Sequence, residues 1–364
     1  MHTNTYKLEY DYIECYVGMA RMVAFWHAKT LGFKVIGYCG PETGVPEKVS
    51  YFLQKNDIKL VITSAAQPSS YDIVSFVDLH GNGVKRLAIR VDDVATFYQK
   101  AVTNGAIPIR EPFRKEDKHG FVEQAYVKLF DDNEIAFINA DQYHGLFMPG
   151  YQNVAHEWEH TAGQEDTLLT KIDHIACALR ENEMRIWESY LHNMLDATTV
   201  QEFGQGDIAT NKSGLILKVL QNAQKSLNKV LVEPDNKEKK SQIQVFIDKN
   251  FGTGIQHVAF ASEDIFTTVK RMREGGMIFT SFPDSYYDLL REKHPHLNVD
   301  KIQECRLLCD VEDDALLLQT FTTPIGDRPT LFYEVVQRVN DYEGFGLGNI
   351  NTLFEAVEKD LEQV

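Results

Sequence analysis

Two histidines and one glutamate occur in similar strand-like surroundings: His174 in KIDHIACA, His257 in GIQHVAFA and Glu334 in LFYEVVQ. Apolar neighbours flank each of them, so we expect each on a buried strand. Two imidazoles and one carboxylate on one face of Fe(II) leave three adjacent coordination positions open. A 2-oxo acid can occupy two of these positions and dioxygen the third. This donor set predicts an iron site that oxidatively decarboxylates a 2-oxo acid, whose own decarboxylation supplies two electrons.

The elements that must position these residues recur along the chain. YDYIECYVGMARMVAFWHAKTLGFKVIGY in the first half corresponds to IDHIACALRENEMRIWESYLHNMLDATTV in the second, each a strand, an amphipathic helix and an apolar strand. VKRLAIRVDDVATFYQKAVTNGAIPIREP likewise corresponds to IQHVAFASEDIFTTVKRMREGGMIFTSFP, each a strand, an acidic turn, a helix, a glycine stop and a second strand. We therefore predict an α+β fold in which a βαβββ unit occurs twice in each half. Paired units of this kind curl into two cup-like open barrels, which supply a concave site.

Aligning the two halves shows an asymmetry. The first half has Tyr12 where the second has His174, and Arg86 where the second has His257. The AFIN stretch of the first half, which matches the strand around Glu334, carries no acid. Because a duplicated fold must fill these positions but has no need to fill them with metal ligands, the asymmetry indicates chemistry in the second half.

Two other interpretations of these residues stay open. Each histidine could be a satisfied core residue, with Glu334 paired to Arg338, since an acid inside an apolar strand is costly unless something compensates it. A cup-shaped duplicated fold could also sequester a small molecule as a non-catalytic binding protein. Bound iron together with CO2 release from a 2-oxo acid would exclude both.

Composition narrows the class of partner. A hydrophobic content of 43% and a charged content of 25% are ordinary for a soluble globular protein. The formal net charge of −16 at pH 7 argues against nucleic acid and anionic membranes, because both require basic patches. No run approaches the ~18 apolar residues of a membrane span, and the N-terminus lacks an apolar signal core. Together with five scattered cysteines, these features predict a cytoplasmic protein with reduced thiols.

The repeat also predicts the domain organisation. Residues 1–150 form a non-catalytic repeat domain, 151–168 a polar linker, and 169–364 a catalytic iron domain whose closing helix covers the mouth of the second cup. A homo-oligomer (dimer or tetramer) is expected, associating through the first half. The linker contains HEWEH (156–160), which matches the H-E-x-x-H zinc-protease pattern. Because that pattern works on a long helix, a solvated turn is the better interpretation here.

Several stretches, in the same order along the chain, resemble the 4-hydroxyphenylpyruvate dioxygenase and hydroxymandelate synthase family of the vicinal-oxygen-chelate fold. They are KKSQIQ (239–244), GTGIQHVAF (252–260), PDSYYDLL (283–290), and DRPTLFYEVVQR followed by EGFGLGN. The resemblance implies that His174, His257 and Glu334 bind iron. It also implies substrate-pocket roles for residues of matching type: Gln242, Gln256, Gln319, Phe321, Phe332, Phe345 and Asn349. Amides can orient a 2-oxo acid by hydrogen bonds, and phenyl rings can stack on an aromatic substrate.

Departures from the family pattern bear on the substrate. Leu217 replaces a serine, Val232 an asparagine, Val230 a proline, and Ile350 the phenylalanine expected after GFGxGN. With isoleucine at position 350 and an aliphatic residue at position 232, the chain resembles hydroxymandelate synthases, which hydroxylate the benzylic carbon. We therefore predict an arylpyruvate-type 2-oxo acid hydroxylated at that carbon. Ring hydroxylation to homogentisate, and an unsubstituted or aliphatic 2-oxo acid such as 2-oxoisocaproate, are the alternatives.

Overall fold

The computed structural model describes residues 8–161, 167–209, 213–236, 240–346, 348–350 and 352. The first half contains β1 (Glu9–Tyr16), α1 (Ala20–Leu31), β2 (Lys34–Cys39), β3 (Lys48–Lys55), β4 (Ile58–Ala65), α2 (Tyr71–His80), β5 (Gly83–Arg90), α3 (Val94–Thr103), β6 (Pro108–Asp117), β7 (Gly120–Lys128) and β8 (Glu134–Asn139), and the short strand β9 (Gln152–Asn153) follows it. The second half contains β10 (Leu169–Ala178), α4 (Met184–Leu195), β11 (Thr198–Ala209), β12 (Ser213–Gln221), β13 (Asn228–Asn236), α5 (Gln242–Asn250), β14 (Gly254–Ser262), α6 (Ile265–Glu274), α7 (Asp284–Lys293), α8 (Val299–Glu304), β15 (Leu308–Glu312), β16 (Ala315–Phe321) and β17 (Phe332–Val339).

The acidic turns of the repeat begin two corresponding helices. The Asp93 side chain accepts a hydrogen bond from the backbone N–H of Thr96 at the start of α3. Asp264 does the same for the first turn of α6, where it accepts from the backbone of Phe266 and Thr267. Such caps satisfy N–H groups that have no partner within the helix. The repeated acid thus fixes where the helix begins in both halves.

Among the described residues the strands form two mixed sheets with the same internal order. The first is β9-β2-β3-β4-β1-β5-β8-β7-β6 and the second, in the matching direction, is β11-β12-β13-β10-β14-β17-β16-β15. In each, a central antiparallel pair (β1–β5 or β10–β14) is flanked by parallel neighbours. One face of each sheet contributes to a core shared by both halves, and the other surrounds a smaller apolar cluster of its own. The predicted α+β fold with repeated βαβββ units is confirmed.

The strand register identifies the position in the first half that corresponds to each predicted ligand. His257 and Arg86 occupy equivalent places on the central antiparallel pairs, and Tyr12 is the counterpart of His174. On the flanking parallel strands, the counterpart of Glu334 is the alanine of AFIN. The alignment made from sequence is therefore correct at all three positions.

The cup of the first half is filled by its own side chains. The rings of Phe52 and Phe147 stack with centroids 4.1 Å apart. Arg86 is buried between two carboxylates: it donates to Glu14, and its Nε lies 2.9 Å from Oε2 of Glu134. In the first cup, therefore, these charged groups pair with each other and aromatic rings fill the space, whereas the second cup contains a cluster of possible metal donors.

One predicted strand is wrong. MIFTSFP (277–283) was expected to form a strand after the glycine stop, but among the described residues it makes one isolated bridge, between Phe279 and Thr322. Pro283, which has no N–H to donate, precedes the first residue of α7. The helices α7 and α8 are thereby inserted before β15, whereas the first half passes directly from α3 to β6.

The segment predicted as a linker, 151–168, begins with β9, which pairs with β2 at the edge of the first sheet. His156 and His160 are both exposed, and the helical turn there, Ala155–Glu157, is three residues long. The prediction of a solvated turn is confirmed. The closing helix predicted at the end of the chain lies almost entirely outside the described residues.

Two expectations from composition can be compared with the structure. None of the described helices is long and apolar enough to cross a membrane. All five cysteines are free. Cys305 ends α8 and Cys309 lies on β15, so the two thiols do not share a helix.

A lysine is buried in the shared core. Lys229 on β13 is 2% exposed, and its counterpart in the first half is Leu60. Its Nζ lies 3.5 Å from the Tyr10 hydroxyl and 5.2 Å from the centre of the Tyr10 ring. No carboxylate within the described ranges pairs with it. Burial therefore lowers the pKa of Lys229 from its ordinary value of 10.5 to about 8, with Cys177 opposing that shift.

We predict that Lys229→Leu raises the free energy of unfolding by on the order of 2 kcal/mol at neutral pH, because it removes a buried charge without an ionic partner. The lysine costs stability below its folded pKa of about 8, and this cost disappears as pH approaches 10.5, where it is neutral in both states. Denaturant unfolding at several pH values measures the difference. Lys270→Leu, at an exposed site on α6, is the control. A stability gain that is absent, or that grows above pH 8, would contradict this prediction.

Candidate metal centre

The three predicted ligands converge at the concave face of the second sheet. His174 on β10, His257 on β14 and Glu334 on β17 present donor atoms that all lie within 4.8 Å of one another. Oε2 of Glu334 is 3.1 Å from Nε2 of His174 and 3.1 Å from Nε2 of His257. Donor atoms bound at right angles to one ion, with bonds of about 2.1 Å, lie roughly 3 Å apart. The arrangement therefore fits a single metal ion.

Hydrogen bonds at Nδ1 orient both rings. Nδ1 of His174 lies 2.8 Å from Oδ1 of Asp173, so Nδ1 must carry the hydrogen that it donates. Nδ1 of His257 lies 3.2 Å from Oε1 of Gln256, which can accept its hydrogen when Nε2 binds a metal. In both rings Nε2 is the nitrogen that faces Glu334. The outer partners thus orient the two nitrogens for metal binding.

Burial and mutual charge set the protonation of the ligands. Burial lowers the pKa of His174, but the carboxylates of Glu334 and Asp173 outweigh this and raise it to about 9. Burial raises the pKa of Glu334, but His174 and His257 bring it down to about 2. Burial also lowers the pKa of His257 below its ordinary value. At neutral pH the carboxylate is charged, and a metal ion that binds here displaces the proton of His174.

The carboxylate behind His174 is itself held by an arginine. Nε of Arg338 lies 2.8 Å from Oδ2 of Asp173, and Nη2 lies 2.9 Å from Oδ1. Burial raises the pKa of Asp173, but hydrogen bonds from Arg338 and His174 hold it well below its usual range. The alternative in which Glu334 is paired to Arg338 is wrong, because the arginine forms its bidentate pair with Asp173 instead.

Three of the predicted phenylalanines surround the histidine rings. Phe332 stacks on His257 with centroids 4.8 Å apart and an interplanar angle of 27°. Phe321 meets the same imidazole edge-on at 6.0 Å, and Phe345 meets His174 edge-on at 5.6 Å. The three rings pack around the two imidazoles, and their role as substrate contacts stays a prediction.

The four residues that depart from the family pattern lie together. They belong to one apolar cluster on the concave face of the second sheet, which also includes Phe345: Leu217, Val230, Val232 and Ile350. Leu217 and Val232 are direct cross-strand neighbours on β12 and β13. The two positions at which the resemblance implies polar residues thus lie together, in the same cluster as the ring that contacts His174.

Asn349 is fully buried, and a tyrosine orients its amide. The Tyr286 hydroxyl accepts from the backbone N–H of Cys309 at 2.8 Å and donates to Oδ1 of Asn349 at 3.0 Å. Nδ2 of Asn349 has no hydrogen-bond partner among the described residues. A buried donor without a partner is costly, so an acceptor supplied to this group would stabilise it.

The three predicted glutamines differ in their surroundings. Gln256 and Gln319 are buried, with 8% and 4% exposure. Gln319 packs against Gly346, where an added Cβ would lie 2.4 Å from its Oε1. Gln242 is exposed in the first turn of α5, and its role as a substrate contact stays a prediction.

The contacts of the groups that support the site could not be predicted from the sequence. Besides Arg338 and Tyr286, these groups include Asp310, whose Oδ2 accepts from the Tyr342 hydroxyl at 2.8 Å and from the backbone N–H of Gly348 at 2.9 Å. Each joins residues far apart in the chain, so no local pattern reveals them. The supporting role of Asp173 had a signal in the sequence, because this acid stands directly before His174.

Comparisons with known proteins agree with this architecture. Residues 11–137 and 171–300 match the Glyoxalase/Bleomycin resistance protein/Dioxygenase superfamily. The 4-hydroxyphenylpyruvate dioxygenase of Danio rerio is 35% identical over 360 residues, which cover 97% of this chain and 90% of the relative. That of Xenopus tropicalis is 34% identical over 368 residues, covering 99% and 93%. A mutant 4-hydroxymandelate synthase from Streptomyces coelicolor has a similar structure, with a TM-score of 0.84 at 28% identity, covering 97% of this chain and 98% of that one.

Proposed function

Because this chain belongs to the 4-hydroxyphenylpyruvate dioxygenase family, we propose that it removes CO2 from an arylpyruvate-type 2-oxo acid and hydroxylates the benzylic carbon of the remainder. The family assignment makes the chain a dioxygenase. The observation that supports the metal chemistry is the convergence of His174, His257 and Glu334, with both histidine nitrogens 3.1 Å from one carboxylate oxygen.

We assign Fe(II) to this site on the chemistry of its donors. Nε2 of His174, Nε2 of His257 and the carboxylate of Glu334 would hold the ion and leave three positions for other ligands. A bound Fe(II) ion would supply adjacent positions for the 2-oxo acid and dioxygen, through which the two electrons released with CO2 would pass to dioxygen. With two neutral imidazoles and one carboxylate as its protein ligands, an Fe(II) centre would keep a net positive charge, which favours an anionic 2-oxo acid.

The overall reaction balances without an external reductant. The bond between the carboxylate carbon and the keto carbon breaks, and CO2 leaves. One oxygen atom of O2 enters the new carboxylate, and the other forms the hydroxyl group on the neighbouring carbon. The chain contributes orientation: Phe332 and Phe345 hold an aromatic ring beside the histidines, and the free Nδ2 of Asn349 offers a hydrogen bond.

The apolar cluster supports the benzylic site of attack. Ile350 is smaller than the phenylalanine of ring-hydroxylating members, so the substrate's side-chain carbon has room to approach the metal. Leu217 and Val232 offer no hydrogen bond to a ring hydroxyl. A site without groups that need such a hydroxyl has little means of requiring it.

The same cluster favours a second candidate, a 2-oxo acid whose far end is entirely apolar. Phenylpyruvate or an aliphatic acid such as 2-oxoisocaproate would leave no polar group unpaired against Leu217, Val230 and Val232. Ring hydroxylation of 4-hydroxyphenylpyruvate to homogentisate is the third outcome, and it would place this chain's chemistry with its dioxygenase relatives.

A panel of three 2-oxo acids tests the proposal. We predict that the Fe(II)-loaded protein releases CO2 and consumes O2 with 4-hydroxyphenylpyruvate and phenylpyruvate at similar kcat/KM, and that mass spectrometry and product NMR find mandelate-type products. A preference for 2-oxoisocaproate would favour the second candidate, and homogentisate would show ring attack. Iron binding without CO2 release from any of the three would contradict the proposal and favour a non-catalytic binding protein.

We also propose a cytoplasmic homo-oligomer, a dimer or tetramer, that associates through the first half. The free cysteines suit a reducing compartment. Met19, Met22 and Phe25 are exposed by 65%, 57% and 43% at and along α1 in the first half. Exposed apolar side chains at this spacing form a stripe suited to a protein contact.

A further inference from the structure

Arg338 contacts both the metal shell and the segment that follows β17. Its Nε and Nη2 donate to the two oxygens of Asp173, at 2.8 and 2.9 Å, and Asp173 in turn accepts from the ligand His174. Its Nη1 donates to the backbone oxygens of Tyr342 and Gly344, at 3.1 and 2.6 Å. One planar guanidinium therefore joins two parts of the site that make no other hydrogen bond to each other among those described.

An aromatic ring makes the same connection by packing. The ring of Phe345 lies 4.9 Å from the guanidinium carbon of Arg338 and 5.6 Å from the ring of His174. Arginine stacks on aromatic rings and holds carboxylates with a rigid fork, whereas lysine offers a single point charge. Arg338 thus supports the ring that packs against the ligand as well as the acid that orients it.

Residues 342–346 and 348–350 form what we call the closing segment. It is docked on the second sheet through Asp310, which accepts from the Tyr342 hydroxyl and the Gly348 backbone. The segment carries Phe345, Asn349 and Ile350, to which the proposed function gives substrate contacts. Its position therefore decides the shape of the pocket as well as the packing around His174.

The internal repeat shows that the fold itself does not need this arginine. Asp11, the counterpart of Asp173, pairs with Lys59 at 3.3 Å. The counterpart of Arg338, four residues after the alanine that corresponds to Glu334, is Ala140. The aspartate is thus common to both halves, but the arginine that reaches a following segment occurs in the half that holds the metal ligands.

We propose that Arg338 is a positioning residue that couples the orientation of His174 to the docking of the closing segment. This inference rests on the proposed metal function of His174, His257 and Glu334. Because such coupling is reciprocal, metal binding stabilises the docked segment to the same extent as docking strengthens metal binding. The pocket that selects the substrate is then most complete when the metal is bound.

The test measures both ends of this coupling in the full chain without turnover. Anaerobic titration with Fe(II) against a competing chelator gives metal affinity, and hydrogen exchange read by mass spectrometry gives protection of the closing segment with and without Fe(II). We expect Fe(II) to slow exchange in this segment of the wild type. Arg338→Lys should weaken Fe(II) binding by about ten- to a hundredfold, as is usual for partners that orient a metal-binding histidine, and should abolish the metal-dependent protection.

A matched arginine provides the control. Arg273 also donates to two backbone oxygens in the second half, those of Glu304 and Cys305, at 3.3 and 2.8 Å. Arg273→Lys should leave Fe(II) affinity and segment protection unchanged. If Arg338→Lys does not fold, Phe345→Leu removes the ring that contacts both Arg338 and His174, and it should weaken Fe(II) binding and reduce the metal-dependent protection.

The outcomes separate this inference from the proposed function. Failure of the wild type to bind Fe(II) would overturn the proposed function and the inference with it. Wild-type Fe(II) affinity in Arg338→Lys would overturn the inference alone. Reduced affinity with unchanged metal-dependent protection would also overturn it, because Arg338 would then support Asp173 without coupling it to the closing segment.

Discussion

Glu334→Ala is expected to abolish turnover and to weaken Fe(II) binding by more than about a hundredfold, since loss of a partner that merely orients a ligand already costs ten- to a hundredfold. Glu334 is the anionic donor of the site, and its Oε2 lies 3.1 Å from both histidine nitrogens. Two imidazoles alone leave the ion without a charged ligand. Metal titration and CO2 release measure the two effects, and circular dichroism checks that the variant is folded.

The first half supplies a matched control for losing a buried carboxylate. Glu134 is 7% exposed and pairs with Arg86 in the first cup, on the strand that corresponds to the one bearing Glu334. Glu134→Ala should lower stability, because it breaks a buried ion pair, and should leave Fe(II) binding and turnover intact. Substantial CO2 release by metal-loaded Glu334→Ala would contradict the ligand assignment.

Ile350→Phe is expected to move hydroxylation from the benzylic carbon towards the aromatic ring. Ile350 belongs to the apolar cluster with Phe345, Leu217 and Val232, so a larger ring at position 350 fills space that the substrate's side-chain carbon would otherwise use. Displacing that carbon brings the ring closer to the metal. Product NMR after turnover of 4-hydroxyphenylpyruvate measures the ratio of homogentisate to mandelate-type product, which we expect to rise at least about tenfold, a shift of 1.4 kcal/mol between the two barriers.

Ile350→Leu keeps the volume and is the control for this change. It should retain the wild-type product ratio, since volume-conserving swaps in an apolar cluster are well tolerated. The same product ratio in Ile350→Phe and wild type would show that this position does not steer the substrate.

The convergence of His174, His257 and Glu334 could be predicted from sequence because of the duplication. In a repeated sheet, register places equivalent residues at equivalent points, so comparing the two copies of a strand is a comparison of positions in space. In this comparison Tyr12 corresponds to His174 and Arg86 corresponds to His257, and the observed strand register agrees with that correspondence. The fold class follows from the same repeat.

The partner of Arg338 could not be predicted in this way. One interpretation of the sequence paired Arg338 with Glu334, but a separation of four residues spans about 13 Å along a strand. The true partner, Asp173, is 165 positions away in the sequence. Similarly, MIFTSFP is rich in the apolar and aromatic residues that favour strands, and only Pro283 at its end indicates the helix that follows.

Isotopic labelling of the product tests the central claim most directly. Turnover of phenylpyruvate by the Fe(II)-loaded protein under oxygen-18 gas should give a 2-hydroxy acid with one labelled oxygen in its carboxylate and one in its hydroxyl, and one CO2 per O2 consumed. A product that carries no oxygen-18 in its carboxylate, or CO2 release without O2 consumption, would contradict an oxidative decarboxylation at His174, His257 and Glu334.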